Sequence, residues 1–186
     1  PETQTYKAMV IRCLNRLQNW AFQEGFIDRP RLIPGGNNYV QRSRVFNKVE
    51  LDQILSNCRP SHYQTFVQFA YYTGARQGEI RDLNISNIFD GYLEVAGKTG
   101  KRVIKLNKQA QDILDKQPEL WNYCRRYVDH TFKKNVRRMG IRNARFHDLR
   151  RTFGYNLIVQ GIPIYQVSKL LGHKSVTTTE KHYAPL

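Results

Sequence analysis

Between Ile85 and Leu106 the chain reads ISNIFDGYLEVAGKTGKRVIKL, short β-rich runs punctuated by Asp90-Gly91 and by Gly97 and Gly100. Asp-Gly and glycine-rich breaks favour tight turns between strands, so this stretch predicts a small antiparallel meander. On either side of it the apolar residues recur at helical spacing. The expected fold is therefore α+β, mainly α-helical, with one small three-stranded antiparallel sheet set inside a helical domain.

The helical runs are punctuated clearly. Residues 5–24 space Val10, Leu14, Leu17, Ala21 and Phe22 along one helix face and stop at Gly25. From Asp28 to Arg44 the composition shifts to Pro30, Pro34, Gly35, Gly36, Asn37 and Asn38 among basic residues, which is linker chemistry. A lone helix cannot bury its own apolar face, so residues 1–27 read as the last helix of a truncated upstream domain, 28–44 as a linker and 45–186 as a second domain. Asn47 and Glu50 have capping-box spacing at the head of a helix carrying Leu51, Ile54 and Leu55, and Ser61 is placed to cap the next. Further helices are expected at 108–116, 121–139 with a break, 147–160, 163–171 and 175–183. The last of these carries Tyr183 on a short terminal segment, expected to be held by few contacts.

Thirty Lys and Arg face 15 Asp and Glu, a formal net charge of +15 in 186 residues. A folded domain so charged calls for a polyanionic partner, nucleic acid before an anionic membrane surface. No apolar run approaches the roughly 20 residues of a membrane span, and no signal-peptide layout opens the chain, so an intracellular protein without membrane association is expected. Cys13, Cys58 and Cys124 are too few and too scattered for a disulfide framework. The five histidines lack metal-ligand spacing. Neither a metal nor another cofactor is expected.

Four segments carry chemistry. TGARQGEI sets Arg76 in a glycine-flanked turn. GKTGK puts Lys98 and Lys101 on the hairpin. HDLRRTFG sets His147 and Arg150 three apart, hence on one helix face, where an imidazole and a guanidinium can grip one phosphate. LLGHKSVTTTEKHY ends the chain with His173 and Tyr183. Between Arg125 and Arg151 ten basic residues stand against Asp129 and Asp148, a solvated basic face or equally a phosphate-contacting one. Each motif alone is weak. An H-x-x-R pair arises by chance, and one of eleven tyrosines is ordinarily core or surface filler.

Taken together and in this order, the four segments resemble the catalytic domain of the tyrosine recombinases, the phage-integrase family, across residues 45–186. The N-terminal helix and linker are similar to the end of that family's core-binding domain. The resemblance implies a fold of the DNA breaking-rejoining type and assigns roles residue by residue. Arg76 and Arg150 hold the scissile phosphate, His147 lies beside them, His173 is the second histidine, Tyr183 the nucleophile and Glu79 a buttress. On the hairpin the family pattern favours Lys98 over Lys101 as the catalytic lysine. Lys101, Arg145, Arg151 and Lys174 are then candidates for DNA-backbone contact. From His173 to Tyr183 the spacing is one residue longer than in many members, but the Thr-Thr-x-x-His-Tyr ending matches a subset of them.

The chemistry is coherent. A phenol with a pKa near 10 is a poor nucleophile at neutral pH, and a phosphodiester repels its anion, so cations must offset both. Two arginines can bind the non-bridging oxygens, a lysine can protonate the departing 5′ hydroxyl, and His147 can take the phenol proton. The implied activity is site-specific recombination of double-stranded DNA through a 3′-phosphotyrosyl intermediate, without metal or ATP. The chain would be monomeric when free and a homo-oligomer, a tetrameric synapse, on DNA. A type IB topoisomerase-like enzyme uses the same constellation and is the alternative. A catalytically idle DNA-binding module would lack one of Arg76, His147, Arg150 or Tyr183, and all are present.

Overall fold

A computed structural model describes residues 4–36, 42–97, 100–117 and 119–183, in two units, Pro1–Arg42 and Ser43–Leu186. In the first, α1 (Gln4–Gln23) ends as its glycine demands. Gly25 takes φ +76°, its N–H reaches Phe22 O, and Phe26 N–H reaches back to Ala21 O, the paired bonds of a left-handed helix stop. The proline- and glycine-rich segment then runs back along the helix. Asn15 pairs both its amide groups with the backbone of Ile33, at 2.8 Å each way, and Gln18 accepts from Arg31 N–H at 2.7 Å. Leu17, Trp20 and Phe22 of α1 remain about half exposed.

The second unit opens with α2 (Lys48–Asn57), and the capping box forms as its spacing predicts: Asn47 Oδ1 accepts from Glu50 N–H, and Glu50 Oε2 from Asn47 N–H. In α3 (Ser61–Thr73), Ser61 is the first helical residue rather than the cap; Pro60 occupies that place, so no side chain caps the end. Tyr63, Phe66, Val67, Phe69 and Ala70 of this helix are buried. A short α4 (Gln77–Arg81) and a 3-10 turn (Ile85–Asn87) lead into the sheet. Strands β1 (Ile88–Phe89), β2 (Tyr92–Gly97) and β3 (Gly100–Lys105) pair antiparallel in the order β1-β2-β3, with Gly97 opposite Gly100 at the hairpin end. Leu93, Val95 and Ile104 point inward.

Helices α5 (Lys108–Lys116), α6 (Arg125–Arg138), α7 (His147–Val159), α8 (Ile164–Leu171) and α9 (Val176–Tyr183) complete the unit. The expected helix at 121–139 starts late, at Arg125. Trp121 is instead drawn into the core, where its Nε1 donates to His62 O and Thr65 Oγ1, and Cys124 Sγ caps the helix through Tyr127 N–H. Two apolar clusters result. The larger joins α2, α3, the sheet, α6 and the first turn of α7. The smaller gathers Val167, Leu171 and Tyr183, with Phe153 and Ile158 of α7 packed on it.

Candidate active site

The site is assembled on the end of α8. A helix leaves its last carbonyls without intrahelical donors and concentrates partial negative charge there. Gly172, in the left-handed conformation at φ +63°, stops α8 and turns the chain toward His173. Three successive carbonyls at this end each receive a different guanidinium. Leu170 O accepts from Arg102 Nη1 at 2.7 Å, Leu171 O from Arg150 Nη2, and Gly172 O from Arg76 Nη2 at 3.2 Å.

These arginines come from three elements. Arg76 precedes α4, where Glu79 closes a capping-box bond onto its N–H at 2.7 Å and meets its Nη1 at 2.8 Å. Arg150 follows His147 by less than one turn of α7, and its Nη1 reaches Gly74 O at 2.6 Å. Gly74 has φ +60° and no room for a Cβ, which would collide with the Phe153 ring, so glycine is required for this carbonyl to face Arg150. Arg102 lies on β3, opposite Val95, and grips Glu79 with Nε at 3.3 Å and Nη2 at 2.8 Å. Two guanidinium groups thus grip one carboxylate. Burial opposes the charge of Glu79, but hydrogen bonds from Arg102 and Arg76 outweigh it and hold its pKa at about 2. For Arg150, burial and the neighbouring Arg76 and Arg102 bring the pKa down to about 9, so it stays charged at neutral pH.

Both site histidines are neutral at pH 7. His147 borders a cavity of about 510 Å³ shared with Gln77, Arg125 and Arg145. Its side chain is exposed on the cavity rim, yet the surrounding protein, then Arg150 and Arg151, lower its pKa to about 4. Burial and the charges of Arg150 and Arg76 do the same to His173, also to about 4, and its Nδ1 lies 2.8 Å from Thr179 Oγ1.

Tyr183 is not loosely held as expected. Helical spacing puts Thr179 and Tyr183 on one face of α9, both are buried, and the phenol packs with Val167 and Leu171. Its hydroxyl lies against α7 at Gly154, one turn past Arg150, in space a Cβ would fill. Burial raises its pKa to about 12 despite the opposing pull of Arg150 and Arg151.

Of the other expected site residues, Lys101, Arg145 and Lys174 are exposed, while Lys98 lies outside the described residues. Arg151 departs from expectation as a backbone contact. It is 8% exposed and pairs with Asp148 at 2.9 Å, and Asp148 in turn accepts from Arg145 N–H at the head of α7. Reading the sequence missed Arg102 altogether, since nothing in GKRVIK separates it from its basic neighbours. Among the described residues no group of three or more His, Cys, Asp or Glu is placed to hold a metal ion.

Residues 121–186 match the model of the phage integrase family. The chain is 26% identical over 202 residues to the integrase of Escherichia phage 186, covering 97% of this chain and 55% of that one. It is 27% identical over 152 residues to a putative integrase/recombinase of Haemophilus influenzae, covering 74% of this chain and 39% of the relative. It thus spans about half the length, or less, of these two relatives. Among solved structures, a lambda integrase (75–356) dimer bound to a COC′ core site superposes with a TM-score of 0.81 at 24% identity, covering 96% of this chain and 73% of that one. The catalytic domain of bacteriophage HP1 integrase gives 0.65 at 20% identity, over 76% and 87%. Both show the same mainly helical fold with its small sheet.

Proposed function

We propose that this chain, whose residues 121–186 match the phage integrase family, is the catalytic part of a site-specific DNA recombinase of that family. It cleaves one strand of double-stranded DNA with Tyr183, keeps the phosphoester as a 3′-phosphotyrosyl link, and rejoins it when another 5′ hydroxyl attacks. The observation that carries this reading is the convergence of Arg76 and Arg150 on successive carbonyls at the end of α8, directly before His173.

Carbonyls of a helix terminus orient the two guanidiniums and leave each with further N–H donors for the non-bridging oxygens of a phosphate. Each such preorganised donor contributes on the order of 3 kcal/mol as charge grows on those oxygens. His147, neutral at pH 7, accepts the phenol proton. The hairpin lysine, Lys98 by the family pattern with Lys101 as the other candidate, protonates the departing 5′ oxygen. In the same proposal residues 1–27 end a core-binding domain, 28–44 link it, and the chain works inside the cell as a homo-oligomer assembled on paired DNA sites. Lambda integrase is described as a dimer bound to a core site, and no described helix here is long and apolar enough to cross a membrane.

The test is incubation in EDTA with random-sequence duplexes, each carrying one nick, followed by a denaturing gel and peptide mapping. A DNA adduct on Tyr183 is expected, lost in Tyr183→Phe while DNA affinity stays within a few fold. An adduct on Tyr155, Tyr165 or a serine, or cleavage that requires magnesium, overturns the reading.

A further inference from the structure

Arg102 is the guanidinium for which the cleavage scheme has no role. Its side chain is 12% exposed, and its contacts are spent inside the protein: two prongs on Glu79 and one on Leu170 O. Glu79 has two further bonds, both to Arg76, one to its N–H and one to its guanidinium. The carboxylate is therefore shared between Arg102 on β3 and Arg76 before α4. Two glycines make room for this. A Cβ on Gly172 would collide with Arg102 Cδ, and a Cβ on Gly97, at the root of the hairpin, would stand 3.0 Å from Glu79 Oε1.

From this geometry we infer that Arg102 is a positioning residue for the cleavage site, acting through Glu79 on Arg76. Two physical effects follow. The first is orientation: a carboxylate clasped on two sides holds the Arg76 backbone and guanidinium in one arrangement, and the third bond ties β3, the strand leaving the lysine hairpin, to the end of α8. The second is charge. A buried carboxylate paired with Arg76 alone would neutralise the cation that has to meet a phosphate, whereas a second cation on the same carboxylate leaves the cluster positive. Lysine preserves the second effect but not the first, because a point charge cannot reproduce the planar fork.

The inference rests on the cleavage reading, and the test separates the two. Wild type, Arg102→Gln, Arg102→Lys, Glu79→Gln and the Glu79→Gln/Arg102→Gln double variant are compared on the random-sequence nicked duplexes. Single-turnover adduct formation, DNA affinity against salt and thermal melting are measured, with hydrogen exchange of the Arg76 amide. Arg102→Gln is expected to slow adduct formation roughly a hundredfold, as a displacement of about an ångström does, with affinity within threefold. Its salt dependence should match wild type, because no phosphate contact is lost. Arg102→Lys recovers part of the rate and, with its charge retained, supplies the folded comparison should Arg102→Gln melt early. With Glu79 already changed, losing Arg102 costs far less than in wild type. The Arg76 amide, bonded to Glu79, exchanges faster in both Arg102 variants. Wild-type cleavage rates in Arg102→Gln, a salt slope lower by about one, multiplying effects of the two single changes, or an unchanged Arg76 amide each overturn the inference. Absence of any adduct from wild type sinks the cleavage reading instead, and the amide exchange still decides whether Arg102 positions Glu79 and Arg76.

Discussion

The two apolar clusters of the second unit hold different halves of the proposed chemistry. The larger interlocks aromatic rings from distant segments: Phe66 packs on Trp121 and Phe146, and Phe132 on Phe46 and Phe146, with Tyr63 tied by its hydroxyl to Val128 O. The smaller has three buried hydrophobic members, Val167, Leu171 and Tyr183 itself. Helix α7 bridges them, with Leu149 in the first and Phe153 packing on the second. Groups that would hold a phosphate, His147 and Arg150, thus stand where α7 meets the larger cluster, and Tyr183, the proposed nucleophile, completes the smaller. Local opening free energy follows the apolar contact that must be broken, so Tyr183 belongs to the more readily opened part. For the proposed cleavage the useful movement is that of α9 alone: with α8 in place its carbonyls still orient Arg76 and Arg150 while the tyrosine is engaged or withdrawn.

Arg150 is where the contrast is tested hardest, because it joins both regions. Arg150→Ala should reduce adduct formation roughly a thousandfold. It also strips Gly74 O and Leu171 O of a donor, at about 1–3 kcal/mol for each carbonyl left unsatisfied. Single-turnover rates and urea unfolding measure the two losses separately, and a variant that melts normally would show that the bridge carries no stability. Gly154→Ala aims at the smaller cluster alone. The added methyl collides with the Tyr183 hydroxyl, and overpacking of this kind costs about 1–3 kcal/mol. Amides of α8 and α9 should then exchange faster while those of α3 keep their protection; equal losses in α3 would mean the two clusters open as one.

The same balance is sensitive to pH. Folding holds His147 and His173 at about 4, below the ordinary 6.5. Between those values the unfolded chain binds protons that the folded one refuses, so stability falls as pH drops from 6.5 toward 4. Glu79, held at about 2 against an ordinary 4.5, extends the loss from 4.5 down to 2 as its ion pairs are protonated away. Urea midpoints across this range should decline accordingly, and His173→Asn should flatten the upper part of the curve. An unchanged slope there would remove His173 from the account.

Much of this was legible before any coordinates. A capping box marked α2, and helical spacing marked α3, α5 and α7, because local hydrogen bonding and spacing decide them. Arg76, His147, Arg150, His173 and Tyr183 stood out only through the order of their four motifs, which resembles the tyrosine recombinases, since each motif alone is weak. What could not be read depends on contacts between distant segments. Nothing local distinguishes Arg102 from Lys101, yet one faces Glu79 and the other solvent, a difference set by strand pleat and by the space at Gly172. Arg151 looked like one more surface cation, but its spacing from Asp148 turns it inward. Trp121 began a helix on paper and instead ends in the core, since burying the indole and bonding its N–H outweighs one more helical turn.

The gathering of Arg76, Arg102 and Arg150 at the end of α8 also carries a thermodynamic consequence. Like charges held close repel, and the α8 carbonyls and one carboxylate offset that repulsion only in part. The arrangement is thus a standing cost to the folded state, of the kind proteins tolerate where function demands it. An anion held by Arg76 and Arg150 repays it, because a ligand that binds only the folded form stabilises that form by mass action, about 2.7 kcal/mol at a hundred times its dissociation constant. A domain built this way is most stable when occupied, which ties its folded population to the presence of the proposed DNA ligand.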